Sequence, residues 1–185
     1  MSKFVYPMLL LIALSGCAAP ARVDQMSARN IDTAKAARDT PLKNNLALNG
    51  VSGGEKTNPM WLSKVGDGEF KQALEHSLRA ALLLASDQSQ SRYVLNTTLK
   101  SLEQPFMGLD LQVTATVEYS LEERATGNKV YSKTIATPYT ATFGDSVLAV
   151  ERLKLANEGA VRLNIEKVID ELLSLNLSVQ QVSIK

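Results

Sequence analysis

Between residues 109 and 122 apolar and polar side chains alternate without a break. Leu109, Leu111, Val113, Ala115, Val117, Tyr119 and Leu121 are apolar, while Asp110, Gln112, Thr114, Thr116, Glu118, Ser120 and Glu122 are polar. A period of two predicts a strand with one buried and one wet face, and hence an antiparallel sheet covered on one side. Tyr93, Leu95, Thr97 and Leu99 predict a strand before it. Residues 129–137 predict a less regular strand after it, beyond a turn at 124–128, and Pro138 suits an edge position because it lacks a backbone donor. Residues 46–51 predict a first strand, ending at Ser52-Gly53-Gly54.

Two stretches carry the helical period instead. Phe70, Ala73, Leu74, Leu78, Ala81 and Leu82 recur at steps of three and four after Asp67-Gly68, with Glu69 in the first turn. Leu153, Ala156, Ala160, Val161, Ile165, Val168, Leu172 and Leu175 do the same in a longer run that Asp145-Ser146 is expected to cap. About thirty helical residues span ~45 Å and thirteen strand residues ~43 Å, so the two lengths match. Gly159 inside that run predicts either a bend or a close neighbour. The order strand, helix, three-stranded meander, helix predicts an α+β two-layer sandwich. Its antiparallel sheet has about four strands, with two helices on one face. That domain is expected over residues 45–176, with a tail at 177–185. Residues 18–44 lack a sustained apolar stripe and are expected to form a flexible tether.

Two apolar groups belong to neither period. Trp61 stands in Asn58-Pro59-Met60-Trp61-Leu62, and Phe106 and Met107 stand in the hairpin end Gln104-Pro105-Phe106-Met107-Gly108. A turn built only for geometry more usually carries Asn, Asp or Gly. Folded back, these residues would cap the core; exposed, they would contact protein or lipid. Trp61, Phe106 and Met107 are therefore the candidate partner contacts.

Charge and candidate chemistry narrow the function classes. Twenty basic and 19 acidic side chains give a net charge of +1, with no electrostatic case for nucleic acid. One histidine and one cysteine cannot form a metal site of the common kind, and His76 lies between stripe positions beside Glu75 and Arg79, where solvation is expected. No Gly-x-Ser-x-Gly turn is present, and residues 50–56 lack the spacing of a phosphate loop. The acid pairs Glu122-Glu123 and Asp170-Glu171 are expected to be solvated. No catalytic residues, cofactor or metal are expected.

The amino terminus carries the strongest address. Lys3 precedes an apolar run at residues 4–13, too short to span a bilayer, which takes ~20 residues. The run ends in Leu14-Ser15-Gly16-Cys17, which resembles the lipobox of bacterial lipoproteins. The resemblance implies a signal peptide at residues 1–16, cleavage before Cys17, diacylglycerol on its sulfur and acylation of the new amino terminus. One acyl chain binds a membrane marginally; two or three anchor stably. Ala18 after the cysteine, where Asp would differ, resembles lipoproteins exported to the outer membrane, implying its inner leaflet and a domain facing the periplasm.

The element order resembles that of the lipopolysaccharide-assembly lipoprotein LptE and the amino-terminal domain of TolB. Asn58-Pro59-Met60-Trp61, residues 104–110 and Arg152-Leu153-Lys154-Leu155-Ala156-Asn157-Glu158 resemble stretches of small envelope lipoproteins. Some of those carry a sugar-nucleotide acyltransferase label, but enzymes of that kind resemble hexapeptide-repeat β-helices with a catalytic histidine. This chain has no six-residue repeat, and His76 is a poor candidate. The expectation is a non-catalytic interaction or assembly module. Its partners would be the membrane, through lipid on Cys17, and an envelope protein, with no nucleic acid or metal. The alternative is a carrier of a lipid or small apolar ligand, which requires a cavity between sheet and helices.

Overall fold

Two single helical turns, α1 (Val23–Met26) and α2 (Thr33–Ala36), precede a strand–helix–strand unit of β1 (Leu46–Ser52), α3 (Asp67–Ala80) and β2 (Tyr93–Glu103). The chain continues through β3 (Leu111–Glu123), β4 (Lys129–Ala141) and α4 (Ala149–Leu173). This computed structural model describes residues 19–57 and 63–177. The expected signal peptide, Cys17, Trp61 and the tail from residue 178 lie outside the described residues.

The four strands form one sheet in the order β1-β2-β3-β4, with both α3 and α4 packed against it. The meander β2-β3-β4 is antiparallel, as the alternation predicts. The first pairing is not: β1 runs parallel to β2, with Leu46 opposite Tyr93 and Leu48 opposite Leu95, so the sheet is mixed. The reason is topological. Neighbouring strands joined through a helix need a crossover, which carries the chain back to its starting end before the next strand begins. The carboxyl ends of β1 and β2 therefore lie at the same end of the sheet.

Tyr93, Leu95, Thr97 and Leu99 of β2 are buried, as are Leu111, Val113, Ala115, Val117, Tyr119 and Leu121 of β3. Leu109, expected to begin that strand, stands outside it and is exposed. β4 is an edge strand and continues through Pro138, opposite Thr114, to Ala141. Phe70, Ala73, Leu74 and Leu78 of α3 and Leu153, Ala156, Ala160, Val161, Ile165, Val168 and Leu172 of α4 complete the core.

The expected cap of the final helix is corrected. α4 starts at Ala149 behind Leu148, which supplies no side-chain cap. Asp145 instead closes the preceding turn, accepting from the Thr142 backbone N–H at 2.7 Å and its hydroxyl at 2.9 Å. Gly159 proves to be a contact position, because a Cβ there would stand 2.3 Å from the Tyr139 ring. Close by, the buried Asn164 amide donates to the carbonyls of Ile135 (2.9 Å) and Ala115 (3.1 Å), and its oxygen accepts from the Tyr119 hydroxyl at 2.8 Å. This polar knot pins α4 in register on β3 and β4.

The expected tether is also corrected. From Ala21 onward the segment is packed on the domain, burying Ala21, Met26, Ala36 and Leu42. Arg22 gives Glu158 its backbone N–H (2.8 Å) and two guanidinium donors (3.0 and 2.8 Å). The bond to Glu158 holds the guanidinium pKa above its ordinary value. Farther along, the Ala28 N–H donates to Ser77 Oγ, and the N–H groups of Arg29 and Asn30 donate to Glu166. Single apolar residues and polar clamps to α3 and α4 hold this strap, so it needs no amphipathic stripe of its own.

Candidate functional site

Because β1 and β2 end together, four chain segments meet at one end of the sheet. They are the β1–α3 connection, the β2–β3 loop, the β4–α4 loop and the start of the strap. Ser63 joins three of them. Its carbonyl accepts from the Gln104 amide of the β2–β3 loop and the Asn157 amide of α4, both at 2.9 Å. Its hydroxyl donates to the Ala19 carbonyl at 3.0 Å. Gln104 also donates to Asn157 Oδ1 at 2.8 Å. The fourth segment attaches through the Phe143 N–H, which donates to Asp110 Oδ1 at 2.9 Å.

Polar bonds organise this end, yet its outer rim is apolar. Phe106 is 96% exposed and Met107 77%. Leu109, Phe143, Val147 and Leu148 are exposed beside them on the two loops. Arg152, buried at the start of α4, donates to the Ser146 carbonyl at 2.7 Å and lies 5.3 Å from the centre of the Phe143 ring. The β4–α4 loop is thereby held with its apolar side chains outward. Two of the acids at this end, Asp110 and Asp145, are engaged by backbone donors. Asp110 binds Phe143, and the donors of Thr142, backbone first, hold Asp145 below its usual pKa.

Of the sequence-predicted contacts, Phe106 and Met107 stand together on this rim; Trp61 and Cys17 lie outside the described residues. Sequence reasoning missed Leu109, which the alternation disguised as a strand residue. It also missed Phe143, Val147 and Leu148, absorbed into the approach to the long helix. The turn signal Gly144-Asp145 between them was the available clue.

The remaining candidates are dispersed. His76 is exposed on α3. Glu123 pairs with Arg92, Glu171 with Lys133 and Asp170 with Lys35 at the surface. Among the described residues no group of three or more His, Cys, Asp or Glu is placed to hold a metal ion, and no helix is long and apolar enough to cross a membrane. Between sheet and helices the space is filled by fully buried side chains such as Phe70, Leu74, Tyr119 and Ile165. A cleft of about 530 Å³ opens instead at the surface, between Pro20, Gly54, Lys56 and the first turn of α3.

No family model matches the chain, and no curated protein does. Solved structures do match. A DUF330 protein of Xanthomonas campestris superposes with a TM-score of 0.53 at 14% identity, over 71% of this chain and 84% of that one. The hypothetical protein CT253 of Chlamydia trachomatis gives 0.50 at 12% identity, over 70% of this chain and 95% of that one. A minor lipoprotein of Acinetobacter baumannii gives 0.43 at 15% identity, over 57% and 83%, too low a score to carry an argument. The likeness is one of fold. Fold alone does not transmit function.

Proposed function

We propose that this chain is a lipid-anchored lipoprotein of the bacterial envelope, facing the periplasm from the outer membrane, and that it works as a non-catalytic interaction or assembly module. The observation that carries this reading is the rim around Phe106 and Met107. Large apolar side chains stand in water there on loops braced by Ser63, Gln104 and Arg152. Such a patch on a folded domain marks a contact surface. The lipobox-like Leu14-Ser15-Gly16-Cys17 supports the anchor and the address. The filled core favours a contact surface over the carrier alternative.

A photo-activated cross-linker at Phe106, in cells making the full chain, tests the reading. The expected result is capture of an envelope component at Phe106 and none from a control at the exposed outer-face position Ala136. Equal capture at both, or none at Phe106, overturns the contact surface. Mass spectrometry of the Cys17 peptide tests the anchor separately, and a free cysteine there overturns it.

A further inference from the structure

Ala19 is tied to the end of the molecule that carries the rim. Ala19, held by Ser63, is two residues from Cys17, and two peptide links reach at most about 7–8 Å. The backbone that would carry a lipid on Cys17 therefore starts within about 7–8 Å of the end where Ser63 ties Ala19 to Gln104, the residue that begins the apolar loop. From Ala21 the strap is packed on the domain, which removes the freedom that a 27-residue tether would have given. From that observation, and resting on the proposed anchor, we infer that the rim's first partner is the bilayer itself. Phe106, Met107 and Leu109 from one loop, and Phe143, Val147 and Leu148 from the other, enter its headgroup–acyl boundary beside the lipid chains.

The chemistry of the rim fits a lipid surface. Its exposed groups are branched and aromatic hydrocarbons and one thioether; Asp110 accepts from Phe143 across the two loops, and Asp145 is engaged within its own turn. The apolar groups come from two loops on either side of the β3–β4 end, so insertion fixes orientation as well as distance. With the strands running away from the membrane, α4 carries the opposite end of the domain out by about 37 Å for its 25 residues. The polar outer face of the sheet is then turned sideways, away from the bilayer.

The test uses the full, natively processed chain in phosphatidylethanolamine–phosphatidylglycerol vesicles doped with a phosphatidylcholine bearing a diazirine in its acyl chain. After irradiation and digestion, adducts are mapped by mass spectrometry. The expected result is labelling of residues 106–109 and 143–148 at least about tenfold above residues 132–140 of β4, as for side chains ~5–10 Å into the boundary. An acylated Cys17 peptide with unlabelled loops overturns the inference and leaves the anchor standing. Labelled loops with an unmodified Cys17 overturn the anchor and leave the bilayer contact standing. In whole envelopes, protection of both loops by a cross-linked protein overturns the bilayer assignment in favour of a protein partner.

Discussion

The carboxylate of Glu158, only 1% exposed, is met by three donors of one residue, Arg22, whose own side chain remains 44% exposed. The two partners are therefore unequal. Replacing Arg22 by Ala strands a charge in the interior, a loss of about 3 kcal/mol, as for other buried pairs broken on one side. Glu158→Gln keeps an acceptor for the Arg22 backbone and leaves the guanidinium in water, so a loss of about 1–2 kcal/mol is expected. Urea unfolding of both variants checks the order. Equal losses would show that the strap is held by its apolar residues rather than by this pair.

Gly159 and Tyr139 make a second test. In Gly159→Ala the new methyl meets the ring at 2.3 Å. The strain of overpacking, about 1–3 kcal/mol, outweighs the helix-propensity gain of at most about 1 kcal/mol. The single variant should be destabilised. Combining it with Tyr139→Leu should recover at least half of that loss, giving a clearly non-additive double-mutant cycle. Additive effects would instead mean that the ring can swing away without cost.

Alkaline titration reads the interior. Burial raises the pKa of Tyr119 well above its ordinary value, and burial together with its bond to Glu171 raises that of Tyr131. Both folded values exceed the unfolded one, near 10. Their contribution to stability is therefore complete below about pH 10 and is lost as pH rises from there toward the folded values. Absorbance at the tyrosinate band should show these two hydroxyls ionising late, in step with loss of structure. Ionisation of Tyr119 and Tyr131 near pH 10 in a still-folded chain would contradict these raised values.

The rim predicts the opposite of a core. Phe106→Ser with Met107→Ser should change unfolding free energy by no more than about 0.5 kcal/mol and leave helix content unaltered, because neither side chain is buried. The same pair should weaken association of the domain with whatever the rim contacts. A drop in stability comparable to a core substitution would return these residues to the interior and remove the candidate site.

Much of the fold was legible in the chain because periodicity is local. The alternation around Val113 and Val117, and the three-and-four spacing around Leu74 and Ile165, depend only on neighbours within two turns. Each element therefore announces its own buried face. The two-layer α+β arrangement follows from counting those faces. The exposed hairpin end at Phe106 and Met107 was legible as a choice between cap and contact, and no further, because local sequence does not say whether a loop folds inward.

Tertiary structure decided the rest, in each case through partners distant in sequence. The direction of β1 depends on where α3 returns the chain, a cue present in the strand–helix–strand order but settled only by the pairing of Leu46 with Tyr93. The strap has no stripe because its holding groups, Glu158 and Glu166, lie more than 130 residues away on α4. Leu109, Val147 and Leu148 carry strand-like or helix-like patterns yet fall just outside their elements, where hydrogen bonds of Asp110 and Asp145 end the regular structure. The common apolar end follows from all three. It exists because a parallel first strand, an anchored strap and two loops converge, and no window of sequence contains more than one of them.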